Sequence, residues 1–127
     1  MAPYEKLLAW QLANRLFLEV YRVTGSFPKE ERYSLTAQAR RAAYSAVANI
    51  VEGSVKRGAG EFRRYLDISL GSLAEIGYII QATEKLGILP SSAASELNSL
   101  HIETSRVTWG LYASISRGRG QGSWKKA

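Results

Sequence analysis

Phe27-Pro28-Lys29-Glu30-Glu31-Arg32-Tyr33 leads into Arg40-Arg41-Ala42-Ala43-Tyr44-Ser45-Ala46-Val47-Ala48-Asn49-Ile50-Val51-Glu52-Gly53, and Leu70-Gly71-Ser72-Leu73-Ala74-Glu75 follows further on. The long middle segment decides the fold. From about Glu30 or Ser34 to Glu52 it reads as one helix crowded with Ala37, Ala39, Ala42, Ala43, Ser45, Ala46 and Ala48, small enough to let a neighbouring backbone come close. Phe27-Pro28 sets an extended turn before it, because the proline ring clashes with helical geometry in the preceding residue. Gly53 is expected to stop the helix, and Lys56-Arg57-Gly58-Ala59-Gly60 to form a basic, flexible turn.

Three more helices surround this one. From Glu5 to Thr24, Leu8, Leu12, Leu16, Val20 and Val23 recur at helical spacing, Ala13 and Phe17 widen the stripe, and Gly25 terminates it. From Gly60 or Glu61 to Leu86, Phe62, Leu66, Leu70, Leu73, Ile76 and Ile80 repeat at three- and four-residue steps, and Gly87 ends the run. After Leu89-Pro90, Ser91 or Ser92 caps a fourth helix with a looser stripe of Leu97, Leu100, Val107, Leu111 and Ile115. No segment alternates with period two, and the connections are short. The expected architecture is an all-α, up-down-up-down antiparallel four-helix bundle over residues 1–116. Residues 117–127 hold three glycines within five positions, which disfavours a helix and predicts a flexible, basic, Gly-rich tail.

The ordered signature from Phe27 to Glu75 resembles a bacterial four-helix-bundle family encoded in intervening sequences of 23S ribosomal RNA genes, over roughly residues 5 to 116. That family is also similar to the accessory variability proteins of diversity-generating retroelements. The resemblance implies a homopentamer that binds nucleic acid, or an adaptor that docks a reverse transcriptase with RNA contact secondary. Two departures stand out: Tyr44 replaces a smaller aliphatic residue, and Ala46-Val47 stands where Ile-Pro is usual, which removes a kink from the second helix.

Composition narrows the function. The 127-residue chain has no cysteine, so disulfides, thiolate nucleophiles and cysteine metal sites are excluded, and a reducing, cytoplasmic location is expected. No uncharged run reaches the length of a membrane span. The net charge of +6 is uneven: residues 1–66 carry 11 basic and 6 acidic side chains, net +5, residues 67–116 carry 2 and 5, net −3, and the tail carries 4 basic and none acidic. An up-down-up-down order gathers Lys6, Lys56, Arg57, Arg63, Arg64 and the tail's Arg117, Arg119, Lys125 and Lys126 at one end. Such an end favours a polyanion, although moderate positive charge also simply aids solubility. The tail's Arg-Gly pairs, Trp124 and terminal lysines likewise suit either a phosphate backbone or a solvated terminus.

The residues needed for catalysis do not converge in the sequence. There is no Glu-x-x-His pair for a di-iron bundle, His101 is the lone histidine, and no serine has a histidine base with an orienting acid at a usable spacing. His101 could mark a phosphotransfer bundle, but a lone helical histidine reads more simply as partly exposed surface. Asn49, Glu52, Ser72 and Glu75 are expected to fix helix register by hydrogen bonds, and Gly71-Ser72 to permit close helix contact. Arg40 and Arg41 point about 100° apart, so at least one should leave the bundle and meet phosphate or an acid of a neighbouring subunit. Trp10, Phe17, Tyr21, Tyr33, Tyr44, Tyr65, Tyr78, Trp109 and Tyr112 exceed what one narrow core needs, which places some at a subunit interface. The sequence is therefore read as a non-enzymatic, self-associating binder of structured RNA or DNA, with no cofactor and no metal.

Overall fold

Apolar side chains at three- and four-residue steps wind four segments into helices, and the computed structural model describes residues 1–116 of the chain. These are α1 (Leu8–Thr24), α2 (Leu35–Ser54), α3 (Ala59–Lys85) and α4 (Ser91–Ser116), with short 3-10 turns at Pro3–Lys6 and Lys29–Glu31. No strand occurs among the described residues. Arg117, Arg119, Lys125 and Lys126, with the flexible tail expected there, lie outside the described residues. α1 begins later than Glu5 because Leu7 is extended, with φ −83° and ψ 126°, and turns its buried side chain under the bundle. α2 runs unbroken through Ala46 and Val47, where a proline would have interrupted the hydrogen-bond ladder.

The core shows how the helices run. Leu7 and Ala13 of the α1 end, Val47 and Ile50 late in α2, Phe62 and Leu66 early in α3 and Ile115 late in α4 form one buried cluster. Leu16, Val20, Ala43, Leu73, Ile76 and Leu97 belong to a second cluster toward the other end. Only an up-down-up-down arrangement brings those chain positions together, and the four-residue and five-residue connections after α2 and α3 require it.

Several residues take roles other than those expected. Gly53 does not stop α2, which continues to Ser54. It is buried, and a Cβ there would come 2.8 Å from a Phe62 ring carbon and 2.9 Å from the Tyr65 Cβ. Its bare backbone is what lets α3 lie against α2. Gly71 faces open space, so it permits no close contact, whereas a Cβ on Gly77 would strike the His101 ring at 2.7 Å. His101 is half-buried rather than simply surface: it packs between α3 and α4, with Nε2 2.7 Å from the Leu73 carbonyl oxygen and Nδ1 buried without a partner. Glu52 is exposed. Ser72 and Glu75 do tie α3 to α2, whereas Asn49 bonds within α2. The Ser72 hydroxyl donates to Ser45 Oγ at 2.7 Å, Asn49 Nδ2 donates to the Ser45 carbonyl at 2.8 Å, and Gln38 Nε2 donates to Glu75 at 2.6 Å. In α4 the loose apolar stripe is completed by Thr104 and Thr108, both fully buried, whose hydroxyls donate to the carbonyls of Leu100 and Thr104 one turn back.

These contacts separate two glycines of one bundle. Gly53→Ala gains helix propensity but must push the Phe62 ring and the Tyr65 backbone away, so thermal or urea unfolding should show a net loss of about 1–2 kcal/mol. Gly71→Ala meets nothing and should stabilise by about 0.5–1 kcal/mol. A stabilised Gly53→Ala variant would show that α2 and α3 do not approach as closely as described.

Candidate nucleic-acid interface

The short α2–α3 connection, Val55 to Gly58, places Lys56 and Arg57 beside the first turns of α3, which carry Arg63 and Arg64. Because Gly53 draws the two helices together, the Tyr65 side chain emerges next to this turn. Its ring lies 5.3 Å from Lys56 Nζ and 4.9 Å from the Arg64 guanidinium carbon, each within cation–π range. Arg64 also reaches Glu61 at 3.3 Å, with both side chains more than half exposed. That pair contributes little stability, since water screens it and both chains lose rotamer freedom. Its chemical effect is that hydrogen bonding and charge attraction from Glu61 raise the Arg64 pKa further above its ordinary value, so the guanidinium remains cationic. Arg63, a residue earlier, is half-buried.

Arg40 and Arg41 do not join this group. Arg40 binds back onto the end of α1: Nε donates to Thr24 Oγ1 at 2.9 Å, Nη2 donates to the Tyr21 carbonyl at 3.2 Å, and the guanidinium lies 3.8 Å over the Tyr21 ring. It satisfies a C-terminal carbonyl of α1. Arg41 is exposed and donates to Gln38, which in turn holds Glu75 of α3. Within the adjacent pair, Arg40 serves the fold and Arg41 faces outward. No group of three or more His, Asp or Glu side chains fit to hold a metal occurs among the described residues, and no helix there is long and apolar enough to cross a membrane.

The sequence profile of the family described as 23S rRNA-intervening sequence protein matches residues 5–110, a span that holds Lys56, Arg57, Arg63 and Arg64. The chain belongs to that family. A crystal structure from Bacteroides thetaiotaomicron, of a protein of unknown function in the S23 ribosomal protein family, superposes with a TM-score of 0.78. The match covers 88% of this chain and 99% of that one at 14% identity, a likeness of fold. Among curated proteins none matches. Within the family fold, Tyr65 is the residue that sequence reading passed over. It appeared there only as one of many aromatics, although Arg63-Arg64-Tyr65 directly follows a Lys-Arg turn, the cation and ring juxtaposition that single-stranded nucleic-acid surfaces use.

The unequal roles of the two arginines can be measured. Arg40→Ala removes two hydrogen bonds and a ring contact and should lower unfolding stability by about 1–2 kcal/mol. Arg41→Ala should stay within about 0.5 kcal/mol of the parent, as exposed substitutions do. Equal losses would show that the α1 cap is not made.

Proposed function

We propose that this chain is a non-catalytic, homo-oligomeric bundle that binds structured RNA or DNA through the phosphates, at the end of the bundle where α2 hands over to α3. The observation that carries the reading is the pairing of Lys56 and Arg64 with the Tyr65 ring at the end of the bundle where Arg57 and Arg63 also lie. Arg117, Arg119, Lys125 and Lys126 follow directly on α4, whose last turn ends at that same end. Such a set neutralises phosphates and reads few base edges, so binding should be strong in low salt and tolerant of sequence. The family's description in terms of 23S rRNA intervening sequences supports a nucleic-acid context.

Self-association is the second part of the proposal. Tyr44, Tyr78, Ile102 and Trp109 are each more than half exposed, an unusual load of large apolar side chains for so small a bundle. A homopentamer would cover such surface and repeat the basic end around an axis, which raises avidity without new contacts. Arg41, on the outward side of α2, is placed to meet phosphate or an acid of a neighbouring subunit.

Light scattering at micromolar concentration should give a mass near five times the 14.0 kDa chain; a clean monomer would remove the avidity argument. Neutralising Lys56, Arg57, Arg63 and Arg64 should weaken binding to many sequences alike and flatten the log–log salt dependence by about 0.7–0.9 per lost contact. Four neutralisations at Arg22, Lys29, Arg32 and Lys85, at the opposite and nearly charge-balanced end, are the control. Equal losses from both sets would mean that affinity follows net charge alone, and the oriented reading would fall.

A further inference from the structure

At the end of the bundle opposite Lys56, a cleft of about 260 Å³ opens between the close of α1 and the start of α2, lined by Thr24, Gly25, Phe27 and Pro28 and by Lys29, Arg32, Thr36 and Arg40. It holds three cations and no carboxylate. Glu31, in the adjacent 3-10 turn, accepts a hydrogen bond from the Ser34 hydroxyl and does not line the cleft. Because Ser34 is committed to Glu31, it does not cap α2. The first backbone bond of the helix is from Gln38 to the Ser34 carbonyl, and the amides of Leu35, Thr36 and Ala37 have no acceptor among the described residues.

The decisive side chain is Thr36. As a residue it is more than nine-tenths buried, and among the buried Ser and Thr residues described it is the one whose hydroxyl has no protein partner. Thr24, Thr83, Thr104 and Thr108 each donate to a carbonyl one turn back, Ser54 donates to Val51 and Ser69 to Ala46. Thr36 makes no such bond, and its oxygen is not sealed in the core, since the one fully enclosed polar atom lacking a partner is His101 Nδ1. The Thr36 hydroxyl has no protein partner and is open to the cleft it lines, so it is available to a ligand seated there. Arg40 adds to the donor set: its bonds to Thr24 and Tyr21 use two of its five N–H groups and hold the guanidinium rigid at the rim.

We propose that this cleft binds one phosphate group, as the inorganic dianion or as the terminus of a small phosphomonoester, through Lys29, Arg32, Arg40 and the Thr36 hydroxyl. A hydroxyl donor flanked by two guanidinium groups and an ammonium group matches a tetrahedral oxyanion. The cleft is below the roughly 300–1,000 Å³ that encloses drug-sized ligands, which favours a single phosphate over a whole nucleotide. The site stands apart from the α2–α3 end, so neutralising Lys56, Arg57, Arg63 and Arg64 should leave it intact.

The test is a titration of the full chain with inorganic phosphate and, separately, glycerol phosphate at constant ionic strength, followed by amide NMR shifts. Saturable shifts centred on Leu35, Thr36 and Ala37 are expected, with Thr36→Val and Arg32→Gln each weakening binding about tenfold and Thr36→Ser retaining it. Saturation by inorganic phosphate alone identifies the free ion; saturation by glycerol phosphate at equal or better affinity identifies the ester. Non-saturating shifts spread over all basic residues with both probes would overturn the site. So would saturable binding that neither variant weakens. Should Thr36→Val fail to fold, Arg32→Gln decides, because Arg32 is exposed and outside the core.

Discussion

The close approach of α2 to α3 is the constraint on which the remaining geometry depends. It is made possible at Gly53, where no Cβ fits, and it is held in register by hydroxyls: Ser69 to the Ala46 carbonyl and Ser72 to Ser45, each at 2.7 Å. Each such bond contributes about 1 kcal/mol, but leaving one broken inside the interface would cost more, so a slipped register is penalised several times over. With the helices fixed, the turn between them has one place to go. Lys56 then meets the Tyr65 ring from the turn and Arg64 meets it from α3 itself. The basic cluster is a product of helix packing, although none of its members is a core residue.

α4 is attached differently. Thr104 and Thr108 fill core positions, yet each satisfies its hydroxyl on its own helix and asks nothing of a neighbour. What binds α4 to α3 is therefore shape, chiefly the His101 ring set over Gly77 and hydrogen-bonded to Leu73. This division suits a bundle whose α2–α3 pair must be exact while α4 carries exposed Ile102 and Trp109 on its outer side.

The helix count, the order of the helices and the end at which the charges gather were legible because spacing and short connections suffice to determine them. Gly87, with φ +74°, ends α3 in the left-handed conformation that its position after the last apolar residue suggested. Residue roles were less legible wherever two physical uses share one sequence signal. A glycine at the end of an alanine-rich helix marks either a stop or a close approach, and what distinguishes them at Gly53 is Phe62, which reaches it across the interface. Gly71 and Gly77 sit six residues apart on one helix and look alike until His101 is placed against the second. The 100° between Arg40 and Arg41 implied that they diverge, but which one turned inward depended on the Tyr21 carbonyl and Thr24, contributed by a different helix. Tyr65 was missed for the same reason: its cations lie one residue before it and across a turn.

Antiparallel packing gives the two ends of the bundle different kinds of electrostatics. Each end holds two helix starts and two helix finishes, so the macrodipoles largely cancel at any distance beyond a turn. A field that reaches a polyanion must then come from whole charges on side chains, and only the end bearing Lys56, Arg57, Arg63 and Arg64 gathers them with few acids opposed. At the other end, Glu30 and Glu31 offset Lys29 and Arg32 when viewed from afar. Within the cleft beside Thr36 that cancellation fails, because Lys29, Arg32 and Arg40 line it and no carboxylate does. On the proposed reading, one end attracts a long anion from solution and the other holds a small one that has already arrived.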